Sequence, residues 1–259
     1  MLVDSHCHLN YLDNIQDKLL SAREAGVRGF LCIGVNEHEY PSVKKIAEAN
    51  KDVWATAGVH PEAVGKSIEL GWLEQELNEG QLVGVGETGL DYSRLGPPSD
   101  ENKIYEEMRL LQRNSFACHL DLARRFALPV IVHTRNAQVD TLELMKDFPD
   151  TKGVMHCFTE DWAMAEVALE LGYYISISGI VTFKNAAQVQ EVASKVPADR
   201  LLLETDCPWL APAPHRGEQN QPAFVCDTAR FVAQLRGDSY ESICELTTNN
   251  FTTLFNCFK

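Results

Sequence analysis

Six side chains able to bind metal ions or transfer protons come at the end of, or directly after, short apolar runs in the sequence. Imidazole nitrogens and carboxylate oxygens are common ligands of divalent ions, and a carboxylate also accepts a proton during hydrolysis. His6 and His8 are two residues apart, so a β-strand would turn both toward the same side. The full set is His6, His8, Glu87, His133, His156 and Asp206.

Four imidazoles and two carboxylates exceed what one tetrahedral ion with an open position requires. The set fits two divalent ions that share a carboxylate and lie about 3.5–4 Å apart. With neutral histidines, two such ions and the Glu87 and Asp206 carboxylates leave a net charge of about +2, which suits a phosphodiester oxyanion. These ligand types leave Mg²⁺, Mn²⁺ and Zn²⁺ open as the native ions.

The elements that must position these residues alternate along the chain. Apolar runs rich in β-branched residues predict strands, and longer amphipathic stretches between them predict helices. Eight such units favour a parallel TIM (β/α)8 barrel, in which all strands end on the face that carries active sites. Residues 1–259 are therefore expected to form a single barrel domain. The predicted strands are residues 2–4, 29–35, 53–59, 82–86, 130–133, 153–156, 173–178 and 201–205.

Composition narrows the class of protein further. Hydrophobic residues make up 45% of the chain and charged residues 23%, which is typical of a globular protein rather than a disordered or fibrous one. The chain shows no long apolar run and no secretory pattern, so we expect a cytoplasmic protein without a membrane segment. The eight cysteines are then expected to be reduced. Side-chain alternation predicts that Cys7, Cys157 and Cys207 point away from the neighbouring ligands and pack structurally.

The formal net charge of −14 argues against a broad basic face for duplex nucleic acid. It leaves nucleic acid open as a substrate, because bound cations can supply positive charge locally. If the substrate is a nucleic acid, we expect attack at single-stranded ends, few contacted phosphates and a shallow salt dependence.

Ordered motifs along the chain resemble the TatD family, in particular its YcfH-type bacterial branch. The resemblance extends from about residue 2 to residue 257 and is carried by DSHCHL, GVHP, GETGLDY, PVIVHTR and LLLETDCPWLAP. It implies a metal-dependent TIM-barrel hydrolase of the amidohydrolase type. It also implies a divalent-metal-dependent deoxyribonuclease, often a 3′→5′ exonuclease acting on DNA or RNA.

The resemblance also implies roles for individual residues of the six-residue set. His6 and His8 match ligands carried by the first strand, and Glu87 matches a carboxylate that bridges two metal ions. His133 and His156 match the ligands of the second ion. Glu87 is thereby expected to be catalytic as well as metal-binding.

Asp206 matches a metal ligand that also takes a proton from the attacking water, so it is expected to be catalytic. His60 matches an active-site position and is expected to contact the substrate or its phosphate. Arg135, His215 and Arg216 follow ligand-bearing strands and are candidate phosphate contacts. An ion pair at the rim of the barrel is the alternative for Arg135.

Other polar residues receive more modest interpretations. Glu204 is two residues before Asp206, so strand alternation turns both side chains to the inside of the barrel. Glu204 is expected to orient a ligand rather than bind the ion. His119 lies on a predicted outer helix, at a position where relatives often have glutamine, and His38 lies beyond a strand end; neither is assigned a catalytic role. Residues 92–102 form a loop above the predicted site that either gates substrate or is a plain surface insertion.

Two further classes of function stay open at this point. The same dinuclear site can polarise a carbonyl group, so the alternative activity is hydrolysis of a carboxylic ester, an aminoacyl-tRNA ester or another small molecule. A barrel that binds metal without catalysis is the other alternative. We expect the protein to be a monomer that binds its nucleic-acid substrate transiently.

Overall fold

The computed structural model describes residues 1–95 and 103–258. Eight strands, all parallel to their neighbours, form one sheet in the order of the chain. The strands are β1 Leu2–Cys7, β2 Val27–Ile33, β3 Val53–Ala57, β4 Gly84–Asp91, β5 Val130–Arg135, β6 Gly153–Met155, β7 Tyr174–Ile177 and β8 Leu201–Leu203.

Helices connect the strands on the outside of the sheet. Apolar positions at helical spacing face the strands, while charged positions face solvent, as expected for helices that cover a parallel sheet. The α-helices of the described residues are α1 Ile15–Glu24, α2 Tyr40–Ala49, α3 Gly71–Glu79, α4 Lys103–Phe126, α5 Gln138–Asp147, α6 Trp162–Glu170, α7 Ala187–Lys195, α8 Val225–Arg236 and α9 Tyr240–Phe255.

The sheet curves into a nearly closed barrel, because its first and last strands meet just beyond β8. The His8 amide donates to the Cys207 carbonyl at 2.9 Å, and the Asp206 amide donates to the His6 carbonyl at 3.0 Å. The Asp4 carboxylate strengthens this junction by accepting hydrogen bonds from the amide and hydroxyl of Thr205. The predicted TIM (β/α)8 barrel is confirmed.

The apolar core has two parts. A large cluster lies between the strands and the surrounding helices. A smaller cluster consists of Val3, Leu31, Ile131, Val154 and Leu202, which come from strands on opposite sides of the barrel. Such side chains can meet only inside the barrel, so this cluster forms the apolar floor beneath the predicted site.

The strands β1 and β4 extend further than predicted, and both extensions contain residues of the predicted site. β1 continues to Cys7, three residues past its predicted end, so His6 lies within the strand. β4 continues to Asp91 rather than ending at residue 86, so Glu87 and Asp91 belong to one strand. Residues 96–102 of the predicted loop lie outside the described residues.

No helix among the described residues is long and apolar enough to span a membrane. The cytoplasmic location and the monomeric state stay predictions.

Candidate metal centre

A first group of donor atoms lies where β1 meets the chain after β8. The Nε2 atoms of His6 and His8 are 3.1 Å apart. Asp206 Oδ1 lies 3.6 Å from His6 Nε2 and 3.4 Å from His8 Nε2. Glu87 Oε2 lies 3.5 and 3.6 Å from the same two nitrogens. We call His6, His8 and Asp206, together with this oxygen of Glu87, the first donor set.

A second group lies around the other oxygen of the same carboxylate. Glu87 Oε1 is 2.8 Å from His156 Nε2 and 3.1 Å from His133 Nδ1. The two histidine nitrogens are 3.3 Å apart. We call His133 and His156, together with this oxygen of Glu87, the second donor set. The structure therefore brings all six sequence-predicted ligands together, and Glu87 faces one histidine pair with each oxygen.

The spacing of these atoms fits divalent ions. Ligands of a tetrahedral ion with bonds of about 2.1 Å lie about 3.4 Å apart, which agrees with the separations in both sets. Three groups of His, Asp and Glu with donor atoms within 4.8 Å of one another occur here among the described residues. The donors are nitrogen and carboxylate oxygen, as predicted. The residues present thus fit a pair of divalent ions that share Glu87.

Electrostatics keeps the carboxylates of both sets ionised. Burial alone would raise the pKa of Glu87, but the nearby His156, His60 and His133 side chains outweigh it and hold that pKa well below its usual value. Burial likewise opposes ionisation of Asp206, and the hydrogen bond from His8 and the charge of His6 prevail, which lowers the Asp206 pKa. Both carboxylates are therefore available as anionic ligands at neutral pH.

Two further carboxyl groups lie behind the rings of the second donor set. His133 presents Nε2 to Asp91 Oδ2 at 3.2 Å, which leaves Nδ1 to face Glu87. His156 Nδ1 lies 3.5 Å from Glu204 Oε1, an ion-pair distance at which neither atom has a hydrogen-bond partner, while its Nε2 faces Glu87. A carboxylate behind a histidine selects the tautomer whose lone pair points at the metal. Glu204 occupies the orienting position predicted for it, whereas Asp91 was missed.

His60 lies beside the second donor set, with Nε2 3.4 Å from Glu87 Oε1. Its Nδ1 accepts the backbone N–H of Glu62 at 3.1 Å. Burial lowers the pKa of His60 to about 4, so the ring is neutral and carries its proton on Nε2. His60 also belongs, with Glu87 and His133, to one of the three groups whose donor atoms could hold an ion. Its role as a substrate contact stays a prediction.

The direction predicted for the Cys157 side chain was wrong. β6 ends at Met155, and Cys157 has a left-handed backbone with φ of 42°, so strand alternation no longer sets its direction. Its side chain lines the central cavity, which opens above the two donor sets, and its Sγ lies 3.2 Å from Ser178 Oγ. Burial raises the pKa of the Cys157 thiol well above its usual value, which keeps it protonated. Cys7 and Cys207, in contrast, are fully buried in the core as predicted.

The predicted phosphate contacts separate into two groups. Arg135 ends β5, is exposed and lines the central cavity. No carboxylate of the described residues forms an ion pair with it, so the rim ion pair considered above is not found there. His215 lies away from the cavity lining: its Nε2 is 3.1 Å from Asp227 Oδ2, and its ring stacks on Phe224.

Arg216 also lies outside that lining. Its guanidinium sits 3.8 Å above the centre of the Phe183 ring. The contacts proposed for His215 and Arg216 stay predictions, and the structure holds both side chains in other interactions.

A cavity of about 640 Å³ opens above the two donor sets. Asp91 is part of its lining, and hydrogen bonds from His133 and Ser93 overcome the effect of burial and lower the Asp91 pKa. A third ionised carboxylate reduces the charge predicted for a site with two divalent ions from about +2 to about +1. Alternation from Glu87 along β4 was the signal in the sequence, since Asp91 is four residues further on and shares its face.

The cavity lining also contains aromatic and charged residues that the sequence did not single out. They are Tyr11, Glu62, Arg94 and Trp209. Arg94 pairs with Glu62 at 2.9 Å across the rim of the cavity. Arg94 lies in the predicted loop of residues 92–102 and Trp209 in the LLLETDCPWLAP motif, but the sequence assigned no role to any of the four residues.

A parallel α/β barrel with two histidine sets sharing a carboxylate at the carboxyl ends of its strands defines a metal-dependent barrel hydrolase. Residues 3–256 match the family model described as TatD related DNase, and the chain belongs to this family. The resemblance read from the sequence motifs is confirmed.

Relatives match over almost the whole chain. The uncharacterized metal-dependent hydrolase YcfH of Escherichia coli K12 is 41% identical, covering 98% of this chain and 96% of its own. The 3′-5′ ssDNA/RNA exonuclease TatD of Erwinia tasmaniensis is 36% identical over 93% of each chain. The crystal structure of the TatD homologue YjjV from Escherichia coli K12 superposes with a TM-score of 0.86 at 29% identity, covering 99% of this chain and 98% of the other.

Proposed function

We propose that this protein is a divalent-metal-dependent exonuclease that removes nucleotides from the 3′ ends of single-stranded DNA or RNA. The observation that carries the proposal is the Glu87 carboxylate, whose two oxygens face two separate histidine pairs. Two adjacent cation sites of this kind suit in-line displacement at phosphorus. The exonuclease name of the Erwinia relative supports the choice of substrate.

The first and second donor sets would hold one ion each, with Glu87 between them. Divalent ions in these positions supply Lewis acidity and lower the pKa of water in contact with them. The identity of the ions stays open among Mg²⁺, Mn²⁺ and Zn²⁺.

Asp206 is the proposed general base. Its lowered pKa keeps it ionised, and Oδ1 lies beside His6 and His8 at the floor of the cavity. It accepts a proton from water as the water oxygen bonds to phosphorus. The bond from phosphorus to the 3′ oxygen of the preceding nucleotide breaks, and that oxygen takes up a proton from solvent. His60 and Arg135 donate hydrogen bonds to the non-bridging phosphate oxygens.

The preference for single-stranded ends is supported by charge and by the size of the cavity. A net charge of −14 leaves no broad basic face along which a duplex would lie. A cavity of about 640 Å³ is in the range of sites for small ligands, so it accommodates a terminal segment of a strand rather than a helix.

The test is a time course on 5′-labelled single-stranded DNA and on the RNA of the same sequence, with Mg²⁺, Mn²⁺ and Zn²⁺ supplied separately. We expect a ladder that shortens from the 3′ end and is absent with Asp206→Asn. Asp147→Asn, an exposed aspartate at the end of α5, is the matched control and should behave as wild type. Circular dichroism verifies that both variants fold.

Undiminished cleavage by Asp206→Asn would refute the proposed mechanism and point to a contaminating nuclease. Intact oligonucleotides with all three metals would refute the nuclease itself. The same protein would then be tested on carboxylic esters, lactones and mischarged tRNA, and turnover of one of these would establish the alternative ester hydrolase.

A further inference from the structure

Two aromatic side chains lie together at the mouth of the cavity with much of their surface in solvent. Trp209 is 50% exposed and Tyr11 is 37% exposed, and their ring centres are 5.5 Å apart. Both contact His8 of the first donor set, with ring-centre separations of 5.2 Å for Trp209 and 5.8 Å for Tyr11. Large apolar surface left exposed beside a polar site marks a place where a ligand binds.

Hydrogen bonds fix the backbone of Trp209 and the side chain of Tyr11. The Trp209 amide donates to the Asp206 carbonyl at 3.1 Å, and the buried Asn220 side chain donates to the Trp209 carbonyl. The Tyr11 hydroxyl donates to the Glu39 carboxylate. The aromatic pair is therefore preorganised next to the predicted metal ligands, and binding a flat ligand would cost little ordering.

Charge is distributed unevenly around the cavity. The aromatic pair belongs to segments after β1 and β8, with the Glu39 carboxylate beneath it. Arg135 and Arg94 belong to the ends of β4 and β5, which the strand order places on the opposite side of the barrel. Arg94 is paired with the Glu62 carboxylate at 2.9 Å. Arg135 has no ion-pair partner among the described residues, so it attracts a phosphate on this side, whereas the Glu39 carboxylate repels one on the first side.

We propose that Trp209, with the Tyr11 ring inclined at 60° beside it, forms a stacking platform for the base of the terminal nucleotide, while the rest of the strand leaves the cavity over Arg135. This inference rests on the proposed nuclease function and specifies its substrate. The terminal nucleotide has no phosphate beyond the scissile one, so it is the one nucleotide that suits the acidic side. Stacking is tolerant of sequence because every base presents an aromatic face.

The test compares two single-stranded oligonucleotides of equal length. One ends in a normal 3′ nucleotide, and the other ends in an abasic residue with an intact phosphodiester backbone. With the wild-type protein, loss of one stacked base should lower kcat/KM for the first cleavage about fivefold to a hundredfold. Trp209→Ala should bring the ratio of the two rates close to one, and Trp209→Phe should largely restore it. Phe258→Ala, an exposed aromatic residue outside the cavity lining, is the control and should keep the wild-type ratio.

A binding measurement separates stacking from effects on turnover. An oligonucleotide with a 3′-terminal 2-aminopurine behind a phosphorothioate linkage, which slows cleavage, should lose fluorescence when it binds wild-type protein. The loss should be much smaller with Trp209→Ala.

The outcomes distinguish this proposal from the one on which it rests. If the wild-type protein cleaves the normal and the abasic oligonucleotide equally well, the platform is refuted and the nuclease stands. The same holds if Trp209→Ala keeps the wild-type preference. If neither oligonucleotide is cleaved with any of the three metals, both proposals fall.

Discussion

Replacement of Asp91 by asparagine tests how the second donor set is built. The carboxylate of Asp91 uses its two oxygens for different partners. Oδ1 accepts the amide and the hydroxyl of Ser93 at 2.8 and 2.6 Å, and Oδ2 faces His133 Nε2 at 3.2 Å. An asparagine has one oxygen and one NH₂ group, so it satisfies either Ser93 or His133 but not both.

The hydrogen bonds to Ser93 favour the orientation that turns the NH₂ group toward His133. The asparagine NH₂ group and the His133 Nε2–H, both donors, would then face each other. The ring would move its proton to Nδ1, the atom that faces Glu87. Loss of a carboxylate partner of a histidine ligand costs about tenfold to a hundredfold in metal affinity. Because the substitution also favours the wrong tautomer, we expect the upper end, about 2.7 kcal/mol.

Calorimetric titration of Mn²⁺ or Zn²⁺ into metal-free protein measures this effect. Wild-type protein should bind two ions, and Asp91→Asn should bind one with unchanged affinity and the second about a hundredfold more weakly. Asp140→Asn is the matched control, because Asp140 is also buried but is bonded to Tyr92 and Arg109 rather than to a metal ligand. Equal weakening of both ions, or unchanged affinity for both, would refute the assignment of His133 and His156 to a site of their own.

Three further predictions address residues around the site. Burial lowers the pKa of His119 to about 4. Between pH 6.5 and 4 only the unfolded chain protonates this imidazole, so the free energy of unfolding of the wild-type protein should fall by up to about 3 kcal/mol over that range. Urea unfolding at pH 7.5 and 4.5 measures this change, and the His119→Gln variant should lack it. The same change in free energy of unfolding in the wild type and the variant would contradict the prediction. Cys157→Ser should keep its rate within about threefold, because a protonated thiol is a poor nucleophile; loss of all activity in a folded variant would assign Cys157 to catalysis. His215→Ala should lower the free energy of unfolding by about 1 kcal/mol through lost contacts with Asp227 and Phe224, and a large rise in KM at unchanged stability would restore His215 as a substrate contact.

Much of the site could be predicted from local sequence. The two-residue spacing of His6 and His8 on an apolar strand places both rings on one side, and their Nε2 atoms are 3.1 Å apart. Glu87, His133 and His156 each lie at or just behind an apolar run, and the convergence of strand ends in a parallel barrel brings them together. These predictions depend on periodicity and topology, which the sequence encodes directly.

The predictions were less successful where the backbone leaves regular structure. Cys157 follows the end of β6 in a left-handed conformation, and alternation therefore gave it the wrong direction. The phosphate contacts of His215 and Arg216 stay predictions; both residues belong to the long segment after β8 and pack against Phe224 and Phe183. Asp91 was accessible in principle, but only the observed length of β4 shows that it shares the strand of Glu87.

The sequence by itself determined the barrel, the identity of the six predicted metal ligands and the face on which they meet, because strand periodicity and the order of strands suffice for these. Only the tertiary structure decided which oxygen of Glu87 faces which histidines, which carboxylate orients each ring, and that Tyr11 and Trp209 share the cavity mouth. Such relations join residues far apart in the chain at distances of a few ångströms. They depend on side-chain rotamers and loop packing, which no local pattern in the sequence encodes.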